Sequence, residues 1–371
     1  VTRGVAVDQH ARGADPHATN PSSHRRALTA RDQAFGVVFA LWMVVGLFLD
    51  GWAHDNNEPE SFFTPWHGVL YSGFLSAAGA AVFLARPRDG KTWRESMPNG
   101  HGLTLAGLGV FAIGAVSDLI WHETLGVEVG VEALLSPTHL LLLVGGIAAL
   151  SAPFRASWTS MSDRHESLRT FAPTVLSLAL LVAVVGFFLL FLSPFVNDTA
   201  GVRFDRDPQL DHDHPSSDIG ELQQLLGIAS IFTTTVLLVV PVLLVLRRWR
   251  PPAGSFTLFV TVVVTLFIGL AEFDQVGLIP AGILGGAAAD FAVRRGHSNL
   301  AAAVMTTVVW LSYFGLYALT VGTVAWPAEL WLGSVAMATL IAAALTLPSG
   351  RDVPAVEWAH RDRNPKADVR S

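Results

Sequence analysis

Long apolar segments alternate with short polar segments along most of the chain. Each apolar segment has about 20 residues and few charges, which is the length that a helix needs to cross the roughly 30 Å hydrocarbon core of a bilayer. The pattern predicts ten membrane-spanning helices, near residues 33–50, 66–86, 102–122, 137–154, 170–194, 221–246, 255–273, 276–293, 299–322 and 327–347. Only a few residues separate the seventh segment from the eighth, so this pair is either a tight hairpin or a re-entrant segment. The predicted fold class is an all-α polytopic membrane bundle.

The composition agrees with a membrane protein and excludes several kinds of site. Of 371 residues, 51% are hydrophobic and 15% are charged, whereas roughly 25% are charged in an ordinary soluble domain. The net charge of −6 comes with no basic patch, so no nucleic-acid partner is expected. The chain has no Cys, which rules out disulfides and Cys-ligated metal clusters. Any metal must be held by His, Asp or Glu.

Arg and Lys residues concentrate in every second loop, which indicates the orientation of the helices. Cytoplasmic loops carry an excess of Lys and Arg beside membrane spans. The alternation predicts a multi-pass protein of the cell membrane with both termini cytoplasmic. From the apolar and polar segments we expect a disordered tail at 1–32, a four-helix region at 33–153, a six-helix region at 154–347 and a second tail at 348–371.

The first polar interruption, DGWAHDNNEPESFFTPWH at residues 50–67, contains side chains that crossing a membrane does not require. Asp50 and His54 are four residues apart, so they lie on one face of a helix, one turn from each other. Thr64 and Pro65 are typical of the N-cap and the first position of a helix, which puts His67 in the first turn. The positive end of the helix dipole disfavours a protonated imidazole there, so His67 is available as a metal ligand.

The interruption DLIWHETLGVEVGVEALLSPTH repeats these features. Asp118 and His122 are again four residues apart, and Ser136 and Pro137 precede His139 at the start of the next helix. One carboxylate and two imidazoles make a three-ligand set with open coordination positions, as used for non-haem iron and, with other geometries, for copper or zinc. Because two hairpins carry the same set, we predict two metal sites near the outer face, arising from an internal duplication.

Three glutamates near these sets are candidate partners of the ligands. Glu60, Glu123 and Glu132 could orient the ligating imidazoles through hydrogen bonds, and ordinary solvation at the membrane interface explains them equally well. The histidines in the cytoplasmic loops, among them His101, require no functional role.

Acidic residues in the second half of the chain are also candidates. Glu272, Asp274 and Asp290 could line a proton or ion path, or pair with one another. The predicted outer loop at 195–220 is either a solvated acidic loop or a cation-collecting segment, and its candidate residues are Asp205, Asp207, Asp211, His212, Asp213 and His214.

The two sets resemble the pattern of a known family. Asp50, His54 and the segment FFTPWH that ends in His67 resemble the C subunit of the copper-containing membrane monooxygenases, the particulate methane and ammonia monooxygenases. The segment that runs from Asp118 through His122 to EALLSPTH is similar to the neighbouring site of that family.

The resemblance covers roughly residues 33–153 and implies one copper ion at Asp50, His54 and His67 and an adjacent one at the second set. It further implies O₂-dependent hydroxylation of a small apolar substrate, with other monooxygenase subunits or further copies of the chain as partners. The sequence departs from the family in three respects. Asp118 replaces an Asn, the second set has a longer gap before its last His, and the six later spans have no counterpart.

Two other functions fit the same residues. A metal transporter or metal-handling membrane protein would use the outer sets as capture sites and the later acidic residues as a path. A haem-binding electron carrier would use the four span-associated histidines as axial ligands, which leaves Asp50 and Asp118 without a role. Iron and zinc suit the ligand sets as well as copper does, and the residues alone leave catalytic activity open.

Overall fold

In a computed structural model of the protein, the described residues are 27–347 except 57–63, 88–89, 91, 99, 127–129, 161–166 and 202–214. These residues are almost entirely helical. The helices are α1 (Ala30–Asp55), α2 (Pro65–Ala85), α3 (Trp93–Ser96), α4 (His101–Leu125), α5 (Val131–Leu135), α6 (Pro137–Leu150), α7 (Ala152–Ser160), α8 (Leu168–Phe187), α9 (Pro215–Arg248), α10 (Ser255–Leu270), α11 (Ile279–Arg294), α12 (Ala301–Thr320) and α13 (Ala328–Thr346), with 3₁₀ turns at Leu190–Leu192, Val276–Leu278 and Ser298–Leu300.

Nine helices in the described part of the chain are long and apolar enough to cross a membrane. This confirms the all-α membrane fold class. The remaining predicted segment is α10, whose 16 residues extend about 24 Å at a rise of roughly 1.5 Å per residue. α10 and α11 pack against each other, so the pair forms a hairpin whose first helix is short. Glu272 and Phe273 adopt positive φ angles of 54° and 63° in the turn between them.

The first four long helices form two close hairpins, α1 with α2 and α4 with α6. Glycines permit the close approach: a Cβ on Gly46 would lie 2.4 Å from Leu70 Cα, and a Cβ on Gly145 would lie 2.5 Å from Phe111 N. Small residues commonly occupy such crossings between membrane helices. The close packing brings the end of α1 beside the start of α2, and the end of α4 beside the start of α6.

The two hairpins meet through α2 and α4, where the rings of Phe74 and Phe111 stack with centroids 5.2 Å apart. Because successive long helices alternate in direction, the Asp/His sets of both hairpins lie at the same end of the bundle. α8 packs against α1, α6 and α10. The contact of Phe48 with Phe187, with centroids 5.5 Å apart, joins the first hairpin to α8.

The helices from α8 onward share one large apolar core. Two of its buried polar side chains are paired: Trp310 Nε1 donates to Thr235 Oγ1 (2.8 Å), and the Tyr313 hydroxyl donates to the Pro194 carbonyl (3.0 Å). Such pairing offsets the cost of burying polar atoms.

Asp290 has a structural contact within this core. Its carboxylate accepts hydrogen bonds from the backbone N–H groups of Phe256 (3.2 Å) and Thr257 (2.9 Å) and from the Thr257 hydroxyl (2.7 Å). These groups belong to the first turn of α10, whose amides have no partners within the helix. The contact gives Asp290 a role as the cap of a neighbouring helix.

His101 differs from its expected place in a solvated loop. It is the first residue of α4, is buried, and donates from Nε2 to the carbonyl of Ala81 (3.0 Å). The sequence could not show this burial, because it depends on how α4 packs against its neighbours, among them α2.

Candidate metal centres

The first set of ligands lies where α1 ends and α2 begins. Thr64 is the N-cap of α2 and Pro65 is its first residue, as predicted, so His67 lies in the first turn. Asp50 Oδ1 is 2.9 Å from His67 Nε2, and Asp50 Oδ2 is 3.8 Å from His54 Nε2. One ligand atom from each residue lies within 4.8 Å of the other two. We name Asp50, His54 and His67 the first centre.

The spacing within the first centre suits a single metal ion. Metal bonds of about 2.0–2.1 Å in a tetrahedral arrangement separate ligand atoms by roughly 3.3 Å. Asp50 Oδ1 is shielded from solvent and accepts no hydrogen bond from the described residues, although it lies close to His67 Nε2. A buried oxygen without a donor costs about 1–3 kcal/mol, and a cation between these ligand atoms would remove that cost. The three side chains are between 14% and 23% exposed, so an ion can reach them.

The second set has the same arrangement at the end of α4 and the start of α6. Asp118 Oδ1 is 3.3 Å from His139 Nε2 and 3.7 Å from His122 Nε2. Ser136 caps α6 and accepts a hydrogen bond from the backbone N–H of His139 (3.3 Å). The three ligand atoms again lie within 4.8 Å of one another. We name Asp118, His122 and His139 the second centre.

Hydrogen bonds orient the histidine at the start of the second helix of each hairpin. The Thr64 hydroxyl is hydrogen-bonded with His67 Nδ1 (2.8 Å), and His139 Nδ1 donates to the carbonyl of Ala133. A histidine that binds a metal through one ring nitrogen usually uses the other in such a contact. Both imidazoles therefore present Nε2 to the carboxylate of their centre.

Tyr71 packs against a ligand of the first centre. Its ring stacks on His67, one turn away on α2, with centroids 5.6 Å apart and an angle of 4° between the planes. The Tyr71 phenol interacts electrostatically with both Asp50 and Asp118. Leu143 has the matching position in the second hairpin, so this aromatic contact belongs to the first centre alone.

The structure describes two of the three glutamates that were predicted to orient the imidazoles. Glu123 and Glu132 are exposed at the same end of the bundle as the centres. Glu60 lies outside the described residues. The contacts seen for His67 and His139 come from a hydroxyl and a backbone carbonyl, and the orienting role of the glutamates stays a prediction.

The acidic residues of the second half are not brought together as a path. Glu272 Oε1 accepts a hydrogen bond from the side chain of Asn56 (3.0 Å), which is the C-cap of α1. Asp274 is exposed, and Asp290 caps α10. Residues 205–214, with their Asp and His cluster, lie outside the described part of the chain.

Two further residues contact the ligand sets and stand at regular offsets from a ligand in the sequence. Thr138 directly precedes His139, and its hydroxyl donates to Asp118 Oδ1 (2.7 Å). Tyr71 follows His67 by one helical turn. Both offsets place a polar side chain beside a ligand. The contact of His139 with the carbonyl of Ala133 could not be predicted from sequence, because every residue has a backbone carbonyl.

The geometry favours a metal ion over haem at the first centre. The rings of His54 and His67 have centroids 6.3 Å apart at an angle of 75°, and the Asp50 carboxylate lies within 3.8 Å of both Nε2 atoms. Bis-His haem ligation needs the macrocycle between the two imidazoles. The carboxylate occupies that space.

Comparison with known proteins supplies no relative. No family model matches the chain, and no curated protein or solved structure matches it either. The similarity to the monooxygenase C subunit therefore rests on the residues of the two centres and their spacing. The function must be inferred from these residues.

Proposed function

We propose that this chain is a membrane copper protein that holds one ion at the first centre and one at the second, both toward the outer face of the cell membrane. The convergence of the same three ligand types in both hairpins carries the proposal. Among divalent first-row metals, sites built from nitrogen and oxygen ligands generally bind Cu²⁺ most tightly.

The carboxylate and the imidazoles of each centre contribute differently to metal binding. Asp50 and Asp118 each offset one positive charge of a divalent ion, and the imidazoles add neutral nitrogen ligands. Three protein ligands leave coordination positions open for a small molecule. Copper, when bound, supplies one-electron chemistry and a position for dioxygen.

The surroundings suit a small apolar substrate that arrives through the bilayer. Leu49 and Ile120 are exposed, at 40% and 57%, and they lie next to Asp50 and close to Asp118 in sequence. Phe187 packs against the backbone of Gly51. Apolar molecules dissolved among the lipid chains would meet these surfaces before they meet the ligands.

The reaction we propose is O₂-dependent hydroxylation of such a substrate, in keeping with the resemblance to the monooxygenase C subunit. R–H, O₂, two protons and two electrons give R–OH and water, and a membrane quinol is the class of electron donor that we propose. Other subunits or further copies of the chain would complete the enzyme. The transporter alternative has less support, because Asp290 caps α10 and Glu272 is hydrogen-bonded to Asn56.

The test uses native membranes, in which any partner is present. Membranes from cells without the gene, and from the same cells carrying wild-type, His54→Ala or His122→Ala protein, are given copper, ¹⁸O₂, a quinol as the two-electron donor and short-chain alkanes. We expect ¹⁸O-labelled alcohol from the wild-type membranes and a loss of product with either substitution. Equal product with and without the gene would refute the oxygenase proposal, and gene-dependent copper uptake without labelled product would support transport.

A further inference from the structure

The two centres differ in how their carboxylates are held. Thr138 donates to Asp118 Oδ1 (2.7 Å), and Thr138 Oγ1 lies 3.1 Å from Ser136 Oγ. Both hydroxyl residues are buried. Because Thr138 gives its proton to the carboxylate, Ser136 serves as the donor to Thr138. The result is a directed chain of hydrogen bonds that ends on Asp118.

In the part of the first centre that the structure describes, no hydroxyl donor corresponds to Thr138. Ser136, Pro137, Thr138 and His139 correspond in position to Thr64, Pro65, Trp66 and His67. Within the described residues, neither Trp66 Nε1 nor Asp50 Oδ1 has a hydrogen-bond partner. Asp50 Oδ1 lies 2.9 Å from His67 Nε2 and, among the described residues, accepts no hydrogen bond from a hydroxyl group.

We infer that Thr138 is a positioning residue that makes the second centre the tighter of the two copper sites. A ligating carboxylate that is already held in place loses less freedom when the ion binds, and removal of such outer contacts typically weakens metal binding by about 10-fold to 100-fold. In the second centre the same kind of support reaches both Asp118, through Thr138, and His139, through the carbonyl of Ala133. The second centre therefore fills first as copper is added. This inference rests on the proposed copper binding.

The test separates the centres with two background variants of the full chain. His54→Ala leaves only the second centre, and His122→Ala leaves only the first. Equilibrium dialysis of the detergent-purified proteins against Cu²⁺ then gives one Kd for each centre. We expect the second centre to bind at least about tenfold more tightly than the first.

Substitutions at Thr138 test the cause of the difference. In the His54→Ala background, Thr138→Val keeps the shape and removes the hydroxyl, and we expect the Kd to rise about 10-fold to 100-fold. Thr138→Ser restores the donor, and we expect a Kd close to that of Thr138. In the His122→Ala background, Thr138→Val should leave the Kd of the first centre unchanged, whereas a general folding defect would raise it.

The outcomes distinguish this inference from the proposed function. Equal Kd values for the two centres, or equal effects of Thr138→Val and Thr138→Ser, would overturn the inference and leave copper binding in place. A failure of both background variants to bind Cu²⁺ would overturn the proposed function and this inference together.

Discussion

Substitution of Gly46 by alanine should disable the first centre without touching any ligand. Gly46 lies one turn before Asp50 on α1 and faces the backbone of Leu70, three residues after His67. A Cβ at Gly46 would lie 2.4 Å from Leu70 Cα and 2.6 Å from Leu70 N. Neither atom belongs to a flexible side chain, so the helices themselves must separate.

The size of the separation follows from the contact distance. Ordinary contact begins at 3.4 Å, so α1 and α2 must move apart by about 1.0 Å next to the ligands. A metal site tolerates errors of roughly 0.2 Å in its bond lengths. We therefore expect the Kd of the first centre for Cu²⁺ to rise on the order of 10-fold to 100-fold. The overpacking cost of about 1–3 kcal/mol is partly offset by the roughly 1 kcal/mol gain in helix propensity, so the protein should still fold.

The assay is equilibrium dialysis of Gly46→Ala against Cu²⁺ in the His122→Ala background, in which only the first centre is expected to bind Cu²⁺. Gly36→Ala is the matched control, because Gly36 lies on the same helix and a Cβ there meets no atom within 4 Å. Thermal unfolding of both variants verifies that the fold is retained. An unchanged Kd in Gly46→Ala, or the same change in Gly36→Ala, would refute the reasoning that close helix packing sets the ligand geometry.

Two further predictions use other contacts. Tyr71→Leu removes the ring stacked on His67 and should weaken Cu²⁺ binding at the first centre about tenfold, whereas Tyr71→Phe keeps the ring and should bind within about threefold of wild type. Dialysis in the His122→Ala background measures both Kd values. Equal Kd values for the two variants would contradict a role for stacking. Asp290→Ala leaves two amides of α10 without an acceptor and should lower the free energy of unfolding by about 2 kcal/mol. Exposed Asp274→Ala should change it by less than about 0.5 kcal/mol, as measured by denaturant unfolding in detergent, and equal losses in the two variants would rule out the capping role.

The helices and the ligand sets were predictable because their signals are local. Apolar length fixes which segments can cross a bilayer, and the Thr64–Pro65 and Ser136–Pro137 pairs mark helix starts through capping and a preset φ angle. A spacing of four residues on a helix places Asp50 next to His54 independently of the tertiary structure.

Contacts between distant segments could not be predicted in the same way. The hydrogen-bond donors that Asp290 satisfies belong to α10, more than thirty residues earlier in the chain. The burial of His101 depends on how α4 packs against α2, and the donor from Thr138 to Asp118 depends on the crossing of α4 with α6. A single sequence contains the residue types for these contacts and does not give their distances.

The copper content of the purified full-length protein tests the central claim most directly. After loading with Cu²⁺ and removal of loosely bound ions, mass spectrometry of the metal should give two copper ions per wild-type chain, one in His54→Ala, one in His122→Ala and none in the double variant. Wild-type protein that retains no copper, or that retains the same amount in the double variant, would contradict the account.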